Sequence, residues 1–508
     1  MLAAAPATAD EPLRRGLGPE PDSLDIHRAQ GLSAINLLRD LREGLVTYDA
    51  AGEPAPGVAE SWSVSDDGLT WRFRLRADAR WSNGEAVTAE DFVRAWRAAL
   101  DPATASTLAS LLLPVEGAAA VLAGQRPPGS LGIEAPGPRE LTVRLGQPTP
   151  WFAEVLAHPV AYPLHEVAGD GPADAPVNGA YRIAEWVPQA MIRLERNPHF
   201  HGADGVAIGA VEYLPIEDPA AELARYRAGE LHVTETIPPG RYAWLRENLG
   251  PDLRVAPYLG TFWLGLNLGR QPFSDAPALR RALALAIDRE TLVRVVLGAG
   301  EAPAAAIVPP GLAGYAPAVD RALLADEETR LAEARRLYAE AGYGEGRPLR
   351  VELRYNTSSQ HRRVAIAVAA MWKQSLGVLT ELVNEEWKVF VGNRRMGVVT
   401  QAFRGGWIAD YADPVSFLDL FRSGDATAGT FYANPAYDRL LDAAAARGGA
   451  ERMALLAEAE RVLMGDMPAI PLYHYVSRHL VRPGLGGWQD NVRDIHLSRW
   501  LTWDETQP

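Results

Sequence analysis

Segments typical of strands and segments typical of helices are mixed along the whole of this chain, and this mixture constrains the fold more than any other feature. Trp71, Phe73 and Leu75 alternate with arginines, which predicts a strand with one buried face. Residues Glu327–Ala341 are amphipathic with helical spacing and are followed by Gly342, a residue that often ends helices. We therefore predict α/β domains built on mixed sheets.

Two further helices are predicted together with their ends. Thr88 and Asp91 have the spacing of a capping box, which predicts a helix from this point to about Leu100. Residues His361–Leu376 form a second helical segment, and Gly377 is expected to end it.

Size, charge and composition exclude several classes of protein. At roughly 100–200 residues per domain, 508 residues suggest two to four domains. The net charge of −14 disfavours a protein that binds nucleic acid through its phosphates. Without cysteine there can be no disulfide, thiolate metal site or cysteine nucleophile. The longest apolar run, Val364–Trp372, is much shorter than the ~20 residues that span a bilayer.

Motifs of the common enzyme classes are absent. The sequence contains no GxGxxG, GxxxxGK[ST], HExxH or GxSxG pattern. The pairs His199/His201 and His474/His479 lack the spacing that puts two imidazoles on one helical face, so packing roles are favoured over metal binding. We predict a binding protein with no catalytic residue, metal or cofactor.

Short motifs follow one another in order along the chain. In the first half they are Pro21–His27, Pro56–Trp62, Trp81–Phe92, Val177–Tyr181 and Arg225–Glu230. In the second half they are Tyr355–Ser358, Gly406–Tyr411, Met467–Tyr473 and Leu480–Pro483. This collinear series, from about residue 18 to 503, resembles the oligopeptide-binding (OppA-like) proteins of bacterial ABC importers, which are family 5 extracytoplasmic solute-binding proteins.

The resemblance implies a periplasmic-binding-protein-like fold of type II, with two lobes that close around a ligand. Lobe one is expected at residues 10–42, 170–258 and 476–508, an extra domain packed on it at 43–169, and lobe two at 260–475. The chain is expected to cross between the lobes near 259 and 476, and these two crossings would form the hinge.

The first nine residues bear on localisation. They form either a flexible Ala/Pro-rich start or the end of an incomplete secretory signal whose cleavage site is Ala7-Thr-Ala9. The second interpretation agrees with the exported family that the chain resembles. We therefore expect a periplasmic protein, and whether it is free or lipid-anchored stays open.

The resemblance also implies a ligand site. The segments Gln30–Ala34 and Arg404–Asp410 are expected to offer backbone to an extended peptide, as in strand addition. Asp410 matches the aspartate that pairs with the α-ammonium of the peptide, and Arg404 matches the position that meets its carboxylate. The alternative for Asp410 is a helix N-cap or a solvated loop residue before Asp413.

Further ligand contacts are implied at positions in both expected lobes: Gln30, Gly31, Leu32, His361, Trp387, Arg395, Gly406, Trp407 and Tyr475. Gln30 replaces a common glutamate, and the segment that contains Arg395 aligns only with a one-residue shift. His361 could instead face solvent at the start of a helix. The two tryptophans could be ordinary core residues, and Tyr475 a half-buried strand residue.

These observations together predict a monomeric receptor that binds short peptides and delivers them to the permease subunits of an ABC transporter, without binding nucleic acid. Receptors of the same fold for a dipeptide, murein tripeptide, nickel complex, haem or opine remain alternatives. So do a hydrolase with a cleft and a receptor that serves a sensor.

Overall fold

The computed structural model describes residues 11–29, 31–167 and 175–503, which divide into two units. Unit 1 comprises residues up to Pro239, Trp244–Val255 and the chain from Arg478 onward. Unit 2 comprises Gly240–Ala243 and Ala256–Ser477. The predicted signal remnant at residues 1–9 and the candidate site residue Gln30 lie outside the described residues. Within the described ranges, no helix is both long and apolar enough to cross a membrane.

The strands, in chain order, are β1 Leu13–Gly18, β2 Val46–Tyr48, β3 Pro54–Pro56, β4 Ala59–Val64, β5 Thr70–Leu75, β6 Ile133–Gly137, β7 Glu140–Arg144, β8 Tyr181–Val187, β9 Met191–Arg196, β10 Ala210–Pro215, β11 Leu253–Leu266, β12 Ala302–Pro303, β13 Arg350–Asn356, β14 Leu379–Glu385, β15 Ala402–Ile408, β16 Ala469–Leu480, β17 Leu485–Gly486 and β18 Thr502–Trp503.

The helices are α1 Leu32–Leu41, α2 Ala89–Leu100, α3 Ala118–Leu122, α4 Phe152–Leu156, α5 Pro219–Arg227, α6 Tyr242–Asn248, α7 Pro277–Leu285, α8 Arg289–Thr291, α9 Glu327–Glu340, α10 Ser359–Leu376, α11 Trp387–Met396, α12 Val415–Leu418, α13 Pro435–Ala445 and α14 Gly449–Asp466.

Unit 1 contains two four-stranded sheets, each with its own hydrophobic core. In the order β1-β10-β9-β8 only the first pair is parallel, and its core includes Leu13, Leu37 and Ile192. The antiparallel sheet β4-β5-β7-β6 packs on a second core that includes Phe92 and Trp96 of α2. This second core is built almost wholly from residues 45–161. The boundaries expected for lobe one and the extra domain stay predictions.

Unit 2 is organised around one six-stranded mixed sheet in the order β12-β16-β11-β15-β13-β14. Strand β11 pairs antiparallel with β15, whereas β13 pairs parallel with both β14 and β15. Strands β11 and β16 each begin in one unit and end in the other, so that the chain passes between the units at 255–256 and 477–478. The predicted α/β class with mixed sheets is confirmed.

The local predictions are confirmed with small shifts at the ends. In β5 the side chains of Trp71, Phe73 and Leu75 are buried. Thr88 and Asp91 form the expected capping box at the start of α2. Gly342 and Gly377 follow α9 and α10 with φ of 81° and 73°, the left-handed conformation that glycine adopts without a steric penalty.

One prediction about backbone conformation is wrong. Gly31 is extended, with φ −74° and ψ 148°, but α1 begins at Leu32, so residues 32–34 are helical. The first-turn N–H groups of a helix point along its axis and cannot form the ladder of a strand. Of the described residues in the segment Gln30–Ala34, only Gly31 has the conformation that strand addition requires.

Candidate functional site

Strand β15 has a free edge. Its residues 402–408 pair with β11 over their full length, from Ala402↔Leu266 to Ile408↔Gly260. On its other side, β13 pairs only at Ala402 and Phe403. Among the residues that the structure describes, no strand pairs with this edge beyond Phe403.

The backbone groups at this edge can be assigned from the ladder. The Ala409 N–H donates to the carbonyl oxygen of Leu259 (2.8 Å), so odd-numbered residues of this segment bond to β11. Because bonding alternates along an antiparallel pair, Arg404, Gly406 and Ile408 direct their N–H and C=O groups to the free edge. This edge can therefore accept another extended chain.

The side chain of Arg404 lies on an aromatic surface at the start of this edge. Its guanidinium is 5.6 Å from the ring centroid of Phe262 and 5.8 Å from that of Trp387, distances at which cations and aromatic faces attract. Phe262 in turn stacks on Tyr473 at 4.8 Å. Trp387 is 50% exposed, so this surface is open to a ligand.

The guanidinium of Arg404 lacks an anionic partner within the described ranges. No carboxylate of the described chain forms an ion pair with it, and its Nε is buried without a hydrogen-bond acceptor. Burial lowers the pKa of Arg404, and only Tyr475 and Tyr473 oppose this shift. A partly buried guanidinium in this state favours an incoming anion, since pairing would offset its lost hydration.

His361 lies beside Arg404 but is uncharged at neutral pH. Its ring is 5.6 Å from that of Phe262, and its Nδ1 is 2.9 Å from Asn356 Oδ1. Burial, and secondarily the charge of Arg404, lowers its pKa to about 4. Since the Asn356 oxygen can only accept, Nδ1 carries the single ring proton, and Nε2 is left to accept a hydrogen bond from a ligand. The neutral ring cannot contribute a second positive charge.

A further arginine, Arg394, was missed by the sequence analysis. Its pKa is lowered to about 10 by burial and then by the charges of Arg404 and Arg395, and its Nε has no acceptor among the described residues. Arg395 is exposed. The two arginines are adjacent on α11, so the helical phase decides which one is partly buried, and the one-residue shift in the alignment there could have indicated either. The role predicted for Arg395 stays a prediction.

Tyr475 and Gly406 meet on the same face as Arg404. A Cβ added at Gly406 would lie 2.9 Å from the Tyr475 hydroxyl oxygen. Because glycine has no side chain, the hydroxyl can occupy this position without a steric clash. Burial raises the pKa of Tyr475, and it remains a neutral hydroxyl. The ring is 5.7 Å from that of Tyr473, so it is part of the same aromatic surface.

Trp407 lies on the opposite face of β15, because neighbouring residues of a strand point to opposite sides. It pairs with Thr261, and its buried Nε1 has no acceptor among the described residues. A chain added at the free edge would direct side chains to both faces, so Trp387 on one face and Trp407 on the other could each contact it.

Asp410 lies two residues beyond the end of β15. Its N–H donates to Ser416 Oγ (3.1 Å), and its carboxylate has no partner within the described ranges. The residue as a whole is exposed, yet neighbouring atoms shield the carboxyl group enough to raise its pKa.

Asp413 has the structural role that was considered for Asp410. Its carboxylate accepts two hydrogen bonds of 2.7 Å from Arg452, a buried pair, and also the N–H of Val415. The loop is therefore held by Asp413 and Asp410 is not a helix N-cap, whereas the alternative of a solvated loop residue stays open, since Asp410 is exposed. The Asp410 carboxylate is left available, and its pairing with an ammonium stays a prediction.

The site residues expected in unit 1 are at the start of α1. Gly31 is its N-cap, and Leu32 is 58% exposed. Their contact with a ligand stays a prediction.

Comparisons with known proteins show which family the chain resembles. The family model of the bacterial extracellular solute-binding proteins, family 5, matches residues 53–429. The chain is 38% identical over 487 residues to the periplasmic oligopeptide-binding protein OppA of Escherichia coli K12, covering 94% of this chain and 89% of that protein.

Solved structures give the same result. The unliganded open form of the periplasmic murein tripeptide-binding protein MppA superposes with a TM-score of 0.89 at 35% identity, covering 97% of both chains. Haemophilus influenzae OppA in complex with the peptide RPPGFSPFR superposes with a TM-score of 0.77 at 36% identity, covering 97% of this chain and 99% of that one.

The fold is that of a solute-binding protein of type II architecture. The chain belongs to the bacterial extracellular solute-binding proteins, family 5, and the resemblance to OppA-like proteins is confirmed.

Proposed function

We propose that this protein is a periplasmic receptor that binds short peptides through their main chain and termini and delivers them to an ABC permease. The observation that carries the proposal is the free edge of β15. The cation Arg404 lies near one end of this edge, and the anion Asp410 lies beyond the other end. Neither has a partner of opposite charge among the residues that the structure describes.

The free edge supports recognition of the main chain. Arg404, Gly406 and Ile408 offer N–H and C=O groups that any extended peptide can match, whatever its side chains. Such a site binds many sequences, because water can fill the space that a smaller side chain leaves.

The two charges support recognition of the termini. If the ammonium pairs with Asp410 and the carboxylate with Arg404, the peptide runs antiparallel to β15. Asp410 follows Arg404 by six positions, so their Cα atoms are at most about 20 Å apart at roughly 3.3 Å per residue. An extended peptide of about six residues spans this distance and could meet both charges, whereas a much shorter or longer one could use only one of them.

We further propose that units 1 and 2 are the two lobes expected from the resemblance, and that the chain segments at 255–256 and 477–478 form the hinge. A ligand that contacts both lobes would favour the closed state by its differential affinity, and the permease would recognise that state. Gly31 and Leu32 are the proposed contribution of unit 1. The ligand is released unchanged, as the relatives named binding proteins suggest.

Native mass spectrometry of the protein after incubation with a mixed pool of di- to decapeptides tests the proposal. We expect intact peptides bound at one per chain, and an opine, haem or a nickel complex added to the same incubation should not compete with them. Cleaved peptides would indicate a hydrolase. Binding of one of the competitors without any peptide would show a receptor for another ligand.

A further inference from the structure

Three side chains that the peptide site does not use converge in unit 1. His479 lies near the end of β16, while Asp494 and His496 belong to the segment between β17 and β18. His479 Nε2 is 2.7 Å and His496 Nε2 is 3.1 Å from the same carboxylate oxygen, Asp494 Oδ1. The three atoms all lie within 4.8 Å of one another. In a tetrahedral zinc site, ligand atoms about 2 Å from the ion are roughly 3.3 Å apart, so small rotations would bring these atoms into position.

Both imidazoles are held in orientations suited to a metal. His479 Nδ1 is 2.9 Å from the carbonyl oxygen of Thr234, which can only accept a hydrogen bond, so this nitrogen carries a proton and Nε2 faces the cluster. The His496 ring stacks on Trp488 at 3.7 Å with an interplanar angle of 16°. A backbone carbonyl that accepts from the second nitrogen is the usual support of a metal-bound histidine.

A small cavity adjoins the three groups. It has a volume of about 20 Å³ and is also lined by Glu235, whose carboxylate forms no hydrogen bond with the described residues. This volume holds one water molecule or one further ligand atom. Arg15 also lines this cavity, and its Nη1 donates to the carbonyl oxygen of His496 and to Ser498 Oγ, both at 2.8 Å.

We propose that His479, Asp494 and His496 bind one divalent transition-metal ion of the Zn²⁺ type, with Glu235 or a water molecule as the fourth ligand. Two imidazole nitrogens and a carboxylate suit Zn²⁺, whereas Mg²⁺ and Ca²⁺ prefer oxygen ligands alone. The ion would join the end of β16 to the C-terminal segment and thereby stabilise unit 1. None of these residues belongs to the candidate peptide site.

Zinc titration of the full chain, treated with EDTA and free of any histidine tag, tests this site. Wild type should bind one Zn²⁺ per chain by calorimetry and show a higher Tm with Zn²⁺ than without. His496→Gln and Asp494→Asn should each lose stoichiometric binding and the rise in Tm. The matched control is His199→Gln, which removes an exposed histidine of the same unit and should behave as wild type.

A measurement on the unaltered protein makes the test independent of how the variants fold. Co²⁺ added to wild type should give the visible absorption of a tetrahedral site, and Zn²⁺ should abolish it. If wild type takes up neither ion at micromolar concentration, or if both variants still bind one equivalent, the three residues are an ion-pair cluster and the proposal is wrong.

Discussion

At the scale of single residues, the site is marked by two ionisable side chains, Arg404 and Asp410. Neither has a partner of opposite charge within the part of the chain that the structure describes. Burial shifts both pKa values toward the neutral form, downward for Arg404 and upward for Asp410. Nearby Asp413 is fully paired with Arg452, so the lack of partners is particular to the site and is not a general property of this loop.

At Asp410 we predict that Asp410→Asn weakens the binding of free-amine peptides but not that of the same peptides after N-acetylation. The amide retains the size of the side chain and removes the charge that would pair with the ammonium. Leaving an ammonium unpaired in a closed site costs roughly 3–5 kcal/mol. Calorimetry with both peptide forms measures the difference, and equal losses would remove Asp410 from the proposed role.

For Arg404→Gln we predict a weaker affinity for peptides of about six residues that end in a free carboxylate. C-terminally amidated peptides should lose much less. A charged, well-aligned hydrogen bond contributes about 1.5–3 kcal/mol, which corresponds to a tenfold or greater change in Kd. Arg439→Gln is the matched control, because Arg439 is an exposed arginine of the same unit and lies outside the candidate site. An unchanged Kd in the Arg404 variant would argue against carboxylate recognition there.

At the scale of elements, β15 combines a ladder on one side with an open edge on the other, and its two glycines have different roles. Gly405 leaves space for the buried indole of Trp263, whereas Gly406 leaves space for the hydroxyl of Tyr475 on the opposite face. The first glycine therefore serves core packing, and the second serves the aromatic surface beside the free edge.

We predict that Gly405→Ala and Gly406→Ala have contrasting effects. The first should lower the free energy of unfolding by about 1–3 kcal/mol, because the added methyl group collides with Trp263 in a packed core. The second should change stability much less but weaken peptide binding by displacing Tyr475. Urea unfolding without ligand and calorimetry with ligand measure the two effects, and the reverse pattern would contradict this assignment of faces.

At the scale of the whole molecule, several histidines are buried in the neutral form, which makes folding sensitive to acid. Burial, with the charges of Arg14 and Arg482, lowers the pKa of His232 from 6.5 to about 3. The Arg14 N–H donates to its Nδ1 (2.9 Å), so this nitrogen must keep its lone pair. His474 is similarly buried, and its pKa is lowered to about 4.

The sign of the pH dependence follows from these shifts. Below pH 6.5 the unfolded chain takes up a proton at His232 and the folded chain does not, so acid favours unfolding. The contribution of neutral His232 to the free energy of unfolding is complete above pH 6.5. It is lost progressively toward about pH 3, at roughly 1.4 kcal/mol per pH unit. Urea unfolding between about pH 7 and 4 should show a smaller slope for His232→Gln than for wild type. His199→Gln should keep the wild-type slope, and identical slopes for all three proteins would contradict the prediction.

Much of this molecule was predictable from the sequence because the patterns concerned are local. Alternation in β5, the capping box of α2 and the glycines after α9 and α10 each depend on a few consecutive residues. The collinear motifs also indicated the family, since a long series of short matches in one order rarely arises by chance.

The tertiary structure decided the rest, because it depends on which distant segments meet. The free edge of β15 exists because β13 pairs with only two of its residues. The alternation of apolar residues in the sequence does not indicate how far two strands overlap. The phase of α11 partly buried Arg394 and left Arg395 exposed, and the start of α1 at Leu32 replaced an expected extended segment. The neutral state of His361 and the convergence of His479 with His496 likewise arise from burial and long-range packing, which a linear pattern of residue types does not specify.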